Sequence, residues 1–252
     1  MIERDDVDRI AVVRLSHGKV NALDLDLVTA IRDTFLELET SEHQAVVFTG
    51  TGRSYCAGVD LTRIAAGDSG YARDFLKVLS ESFAAVFNLG KPVVAAVNGH
   101  AIAGGCVFVN ACDRRLMAEG TGRIGVTELL AGVPFPTTAL EIMRFAVGPA
   151  RTPDLVFTGR TCLPAEALEV GLVDEVVPAD ELTERAVALA RRLATEIPSA
   201  TFQLTKRQLH QDANDRIARL RTVDDPQALA IWESAETRQW IGDFMKRVTA
   251  SK

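Results

Sequence analysis

Ser54-Tyr55-Cys56-Ala57-Gly58-Val59-Asp60-Leu61 and Asn98-Gly99-His100-Ala101-Ile102-Ala103-Gly104-Gly105-Cys106 decide how this chain is read. The first follows the apolar, β-branched run Ala45-Val46-Val47-Phe48-Thr49, the second follows Pro92-Val93-Val94-Ala95-Ala96-Val97. Each leads into a helix-like pattern, so strand, glycine turn and helix occur twice. Such turns free backbone N–H groups, and a helix N-terminus adds the positive end of its dipole. Two of them facing each other can hold a negative charge that develops on one oxygen. That mechanism needs no reactive side chain in the turns, so a base must come from elsewhere.

Outward from these stretches the order is strand, helix, strand. Asp8 to Leu15 reads as an early strand ended by Ser16-His17-Gly18-Lys19, with Val20-Asn21-Ala22-Leu23-Asp24 as a connector. Leu27, Val28, Ile31, Phe35 and Leu38 share a helical face, capped by Asp24 or Asp26. Residues 63–73 are small and polar and read as a mobile surface loop. Phe75, Leu76, Leu79, Phe83, Val86 and Phe87 form the next amphipathic face, and Asp113 to Met117 a further strand. The alternation predicts parallel β-α-β units. Beyond about residue 135 helices are predicted at 138–146, 149–157, 164–170, 179–194, 198–211 and from 225 to the end, with one short strand, 173–177.

The chain has 252 residues, 47% hydrophobic and 25% charged, enough for a substantial core. A net charge of −6 argues against general nucleic-acid binding, which needs a basic footprint, but leaves room for a phosphorylated small ligand. No apolar run is long enough for a membrane span. The acidic start, Met1 to Val7, is unlike a signal or transit peptide, so a cytoplasmic protein is expected. Cys56, Cys106, Cys112 and Cys162 show no metal-ligand spacing and are expected as buried, reduced thiols.

Glu128 lies in the apolar stretch Gly125-Val126-Thr127-Glu128-Leu129-Leu130. It reads either as a surface residue at a helix start or as a carboxylate in an apolar pocket, whose raised pKa makes it a general base. Asp60 reads as a helix N-cap, and Asp113 as a structural ion-pair member. A Cys106/His100 nucleophile pair is disfavoured by the apolar setting of Cys106. The chain contains no G-x-S-x-G elbow and no P-loop.

Cys56-Ala57-Gly58-Val59-Asp60-Leu61, Asn98-Gly99 with Ala103-Gly104-Gly105-Cys106, Ala111-Cys112-Asp113 and Glu128 together resemble the crotonase (enoyl-CoA hydratase/isomerase) superfamily. Val20-Asn21-Ala22-Leu23 and Pro164 to Asp174 extend the resemblance, in order, over most of the chain. It implies an α/β fold: a crotonase-like β-β-α superhelix, or spiral, over residues 1–195, then a C-terminal helical trimerisation region over 196–252. The substrate implied is an acyl-CoA thioester. Coenzyme A is then part of the substrate, and no separate cofactor or metal is expected. The partner expected is this chain itself, as a homotrimer or dimer of trimers in which Phe244 and Lys246 face a neighbour.

The backbone N–H groups of Val59 and Gly104 are implied as oxyanion donors and Glu128 as the acid–base residue. Val20, Ala22, Ala57, Gly58, Asp60, Leu61, Gly105, Val107 and Phe135 are implied around the substrate, with Lys19, Arg53 and Arg63 as basic candidates near its phosphates. Acyl specificity is expected from Leu61, Phe75, Phe83, Leu130 and Phe135.

Hydratases of the superfamily use two glutamates, and the second belongs three residues after Gly104, where this chain has Val107. One glutamate is what the Δ3,Δ2-enoyl-CoA isomerases keep, so the pattern resembles that branch and its step in fatty acid β-oxidation. The alternatives are an enoyl-CoA hydratase or other crotonase-type reaction, and a non-catalytic acyl-CoA binding protein.

Overall fold

A computed structural model describes residues 1–67 and 70–250, with the side chains of 249 and 250 excepted. The chain opens with a hairpin, β1 (Ile2–Val7) and β2 (Ile10–Leu15), turned through Asp8 and Arg9 at positive φ. The polar β1 escapes periodicity arguments because five of its six residues are exposed. Asp24 caps α1 (Leu25–Thr40), its Oδ1 accepting from Leu27 N at 2.8 Å. Then follow β3 (Ala45–Gly50), β4 (Ser54–Cys56), α2 (Leu61–Ala66), α3 (Tyr71–Asn88), β5 (Val93–Val97), β6 (His100–Ile102) and α4 (Gly104–Ala111). β7 (Arg114–Ala118), β8 (Ile124–Gly125), the single turn α5 (Glu128–Ala131), α6 (Thr137–Thr158), β9 (Thr161–Cys162), α7 (Pro164–Val170), β10 (Glu175–Val177) and α8 (Leu182–Glu196) complete the spiral. The chain ends in α9 (Ser199–Trp232) and α10 (Ala235–Ala250).

Two sheets result. The larger runs β1-β2-β3-β5-β7-β10, parallel apart from the first hairpin; the smaller runs β4-β6-β8-β9. Three successive turns of the chain each give one strand to the large sheet and one to the small: β3 and β4, β5 and β6, β7 and β8. This is the expected β-β-α spiral. The large sheet is buried on both faces, which is why β3 and β5 read as continuous apolar runs. One face meets α1, α3 and α4 in the main core; the other is covered by α8 through Leu182, Ala186 and Ala190.

Several expectations are corrected. The supposed loop over 63–73 is mostly helical, since Asp60 caps α2 through Thr62 N (3.0 Å) and α3 begins at Tyr71; residues 68 and 69 lie outside the described residues. The two helices expected at 138–146 and 149–157 are both present, as the two arms of α6 set apart by the non-helical Gly148 (φ 78°, ψ 163°) just before Pro149. α9 runs unbroken through 212–224, where a polar face gave no apolar periodicity. Strands β4 and β6 sit inside the glycine stretches themselves.

α9 and α10 share the main core: Ala213, Trp232 and Ile241 are buried in it and Phe244 packs against it. Among the described residues no helix is long and apolar enough to cross a membrane.

Candidate active site

Three segments converge beside the small sheet. Leu23 pairs in parallel with Val59, and the backbones exchange bonds: Leu23 N to Gly58 O (2.8 Å), Asp60 N to Leu23 O (2.9 Å), Ala57 N to Val20 O (3.0 Å). Asn21 locks this arrangement. It is buried at positive φ (52°), a conformation asparagine tolerates, and its Nδ2 donates to Ser54 O and Tyr55 O at 3.1 Å each. Both Asn21 and Leu23 lie in the Val20–Leu23 stretch of the resemblance, yet neither is given a role at the site by the sequence alone; the sign is an asparagine where the chain must turn left-handed.

The two glycine turns face each other. A Cβ on Gly58 (φ +88°) would lie 2.8 Å from Ile102 O and 3.0 Å from Ala103 Cβ, so only glycine fits. A Cβ on Gly105 would run into the carbonyl of Cys56, and one on Gly104 would stand 2.7 Å from Cδ1 of Leu23. Val59 thus leaves one side of the contact and Gly104 the other, with Leu23 touching both. Gly104 is the first residue of α4, whose leading N–H groups have no partner within the helix. Among the described residues neither Val59 N–H nor Gly104 N–H donates to a protein acceptor. Two free donors next to a helix N-terminus can bind an oxygen anion.

Ala103, just before Gly104, is held at φ 51°, ψ −122°, a region glycine prefers. Such an outlier costs roughly 1–3 kcal/mol and persists where surrounding structure imposes it. Ala103 N donates to Gly125 O at 2.8 Å, which ties the turn to β8. Ala103→Gly is therefore expected to stabilise the fold by about 1 kcal/mol in urea unfolding; no gain would mean that the strain is absent.

From β8 the chain passes through Val126 and Thr127 to Glu128, first residue of α5. Glu128 is 7% exposed, and its Oε2 has no hydrogen-bond partner. Burial pushes its pKa up to about 8, and hydrogen bonds from the backbone of Glu128 and Thr127 offset only part of that. The carboxyl is close enough to α4 to raise the Cys106 thiol, after burial itself, well above its usual range. Of the two readings of Glu128, the buried one holds. Val107, in α4 with Gly104 and Cys106, is 0% exposed and belongs to the main core. Phe135 packs partly buried against the same core, and Phe83 lies near Gly104, its Cζ 3.6 Å from the position of an added Cβ.

The remaining candidates sort by exposure. Ala22, Ala57 and Leu61 are half-buried at the rim, Val20 is exposed, and so are Lys19, Arg53 and Arg63. The Arg63 guanidinium lies over the Tyr71 ring, 5.2 Å from its centroid. Leu130 is largely exposed and leans toward Gly159, and Phe75 is fully buried. Asp113 pairs with Lys206 (2.9 Å) and accepts from Val93 N (2.7 Å), a brace between α9 and the sheet; Arg115 turns instead to Asp174. His100 Nδ1 accepts from Arg123 N at 3.3 Å, while the Cys106 thiol accepts from Asn110, so no His–Cys pair forms. All four cysteines are free and buried.

Comparison with known proteins bears on this site. The enoyl-CoA hydratase/isomerase family model matches residues 6–248. The rat mitochondrial enoyl-CoA delta isomerase 1 is 29% identical over 227 residues, covering 89% of this chain and 78% of that protein. A short-chain-enoyl-CoA hydratase of Clostridium acetobutylicum is 32% identical over 206 residues, covering 81% and 78%. The crystal structure of human mitochondrial delta3-delta2-enoyl-CoA isomerase matches 100% of this chain and 99% of its own at TM-score 0.92 and 25% identity.

Proposed function

The chain belongs to the enoyl-CoA hydratase/isomerase family, and we propose that within it the protein is a Δ3,Δ2-enoyl-CoA isomerase. Relatives named for isomerisation and for hydration resemble it about equally, so the reaction is read from the site. The observation that carries the reading is one buried carboxyl, Glu128, with an unpartnered oxygen, near α4, where Val107 stands three residues after Gly104. A valine cannot orient a water for addition across the double bond.

In this reading Val59 N–H and Gly104 N–H bind the thioester oxygen of a 3-enoyl-CoA. Glu128 takes a proton from C2, and the electrons of that C–H bond pass into a dienolate whose negative oxygen lies between the two donors. The same carboxyl returns the proton to C4, leaving the double bond between C2 and C3. Apolar neighbours such as Val107 and Phe135 exclude water, which keeps the proton on its short path. Val20, Ala22, Ala57, Gly58, Asp60, Leu61 and Gly105 line the path of the CoA ester.

The base must be ionised to act, and burial holds Glu128 protonated up to about pH 8. The kcat/KM for a 3-enoyl-CoA is therefore expected to rise with pH along a single-proton limb with a midpoint near 8. A midpoint in the ordinary carboxylate range would contradict a dry, unpaired base. Comparing 2-enoyl- with 3-enoyl-CoA in the same assay tests the reaction itself: conjugation of the second supports isomerase, and water addition to the first as the main outcome supports the hydratase reading.

A further inference from the structure

Two indoles from the C-terminal helices reach the segment that carries Glu128. Trp240 Nε1 donates to Leu130 O at 3.0 Å, and Trp232 Nε1 donates to Pro134 O at 2.9 Å. The Trp240 ring also sits against Gly132, the left-handed residue (φ +85°) that ends α5; a Cβ there would lie 2.5 Å from its Cδ1. Trp232 is 2% exposed and packs against Phe75, with centroids 6.5 Å apart.

These contacts fall where α5 needs them. A helix of one turn has no cooperative stability of its own, and its last carbonyls lack intrahelical partners. Within the segment, Gly132 N bonds Leu129 O (3.1 Å) and Val133 N bonds Glu128 O (3.0 Å). Leu130 O and Pro134 O are satisfied from outside, by the two indoles. α10 touches the other half of the site as well: the Cδ of Arg238 lies 3.0 Å from where Gly67, at the end of α2, would carry a Cβ. α2 is the helix capped by Asp60, next to Val59. One helix thus spans from the oxyanion turn's helix to the base's helix. Trp240 is 49% exposed, so burial of its ring is only partial and its N–H had water as an alternative partner.

We propose that Trp240, backed by Trp232, is a positioning residue: it holds residues 128–135 so that the Glu128 carboxyl keeps its buried place. This rests on the reading of Glu128 as the base, but its test does not require turnover. The variants are Trp240→Ala, which removes ring and donor, and Trp240→Phe, which keeps the ring. The first measurement is the titration midpoint of Glu128 in the ligand-free protein, by carbon-13 NMR of labelled glutamate, the signal assigned by its loss in Glu128→Gln. In Trp240→Ala water reaches the carboxyl and the midpoint falls by at least about one unit, with Trp240→Phe between it and the parent. The second is the split of kinetic constants on 3-enoyl-CoA: kcat falls about tenfold or more with KM within about threefold. A midpoint unchanged in folded Trp240→Ala and Trp240→Phe overturns the proposal whatever the activity does, as does a rise in KM with kcat intact. If the parent fails to isomerise, the isomerase reading fails, and the titration still decides the role of Trp240.

Discussion

Glu128→Gln is expected to lower kcat on 3-enoyl-CoA by about a thousandfold or more, with CoA-ester binding within a fewfold of the parent. Glutamine keeps the shape of the side chain and removes only its capacity to carry a proton. No second carboxylate stands at position 107 to substitute for it. Stability should move the other way. The folded protein holds the Glu128 proton up to about pH 8, whereas the unfolded chain releases it near the ordinary value of 4.5. Between those limits the native state binds more protons, so stability falls as pH rises, and the loss is complete above about pH 8. Glu128→Gln removes this term and should unfold at higher denaturant than the parent at pH 9. Substantial residual isomerisation, or no stability gain at alkaline pH, would contradict the assignment. The gain also fits the usual trade between activity and stability, since a site built on an unpaired buried carboxyl is a destabilised one.

Gly104→Pro is expected to lower kcat by about a hundred- to a thousandfold, the usual loss on removing one oxyanion donor. Gly104 is the first residue of α4, a position where proline is sterically admissible in a helix. The imide removes the N–H, and it also disfavours the unusual backbone of Ala103 before it, so donor and aim are lost together. Gly104→Ala is the control: its Cβ crowds Leu23 Cδ1 in the same way, at 2.7 Å, but keeps the N–H. The alanine variant should retain most of its activity, because the obstructing atom is the tip of a flexible side chain. Steady-state kinetics on both variants, with circular dichroism to verify folding, measures the difference. Equal losses in the two would assign the effect to crowding and remove Gly104 from the proposed oxyanion pair.

The parts of the site that were legible in sequence are those written in local pattern. Gly58, Gly104 and Gly105 stood out because a turn between an apolar strand and a helix needs residues without a Cβ, and backbone does pass within touching distance at Gly58 and Gly105, while at Gly104 the close neighbour is the Leu23 side chain. Glu128 stood out as a charge in an apolar stretch, and its burial follows from that setting. Asp60 was legible as a cap, and Asp24 as one of two candidates with Asp26, because capping depends on a neighbour two or three residues away. The rest was illegible for equally physical reasons. β4, β6, β8 and β9 have two or three residues each, too short to show alternation. α9 crosses the surface with a mostly polar exterior, so only its ends announced a helix. Trp232 and Trp240 meet carbonyls 98 and 110 residues away, and nothing near them in sequence marks the contact. The assignment of Lys206 to Asp113, 93 residues apart, was hidden in the same way.

The central claim is that one buried carboxyl moves a proton between two carbons of an enolate while water is kept out. The most direct test uses a 3-enoyl-CoA carrying deuterium at C2, incubated with the protein in ordinary water, with the product examined by mass spectrometry. The account predicts a 2-enoyl-CoA in which deuterium taken from C2 is found at C4. A 3-hydroxyacyl-CoA as the main product, or a 2-enoyl-CoA with no deuterium at C4, would contradict it.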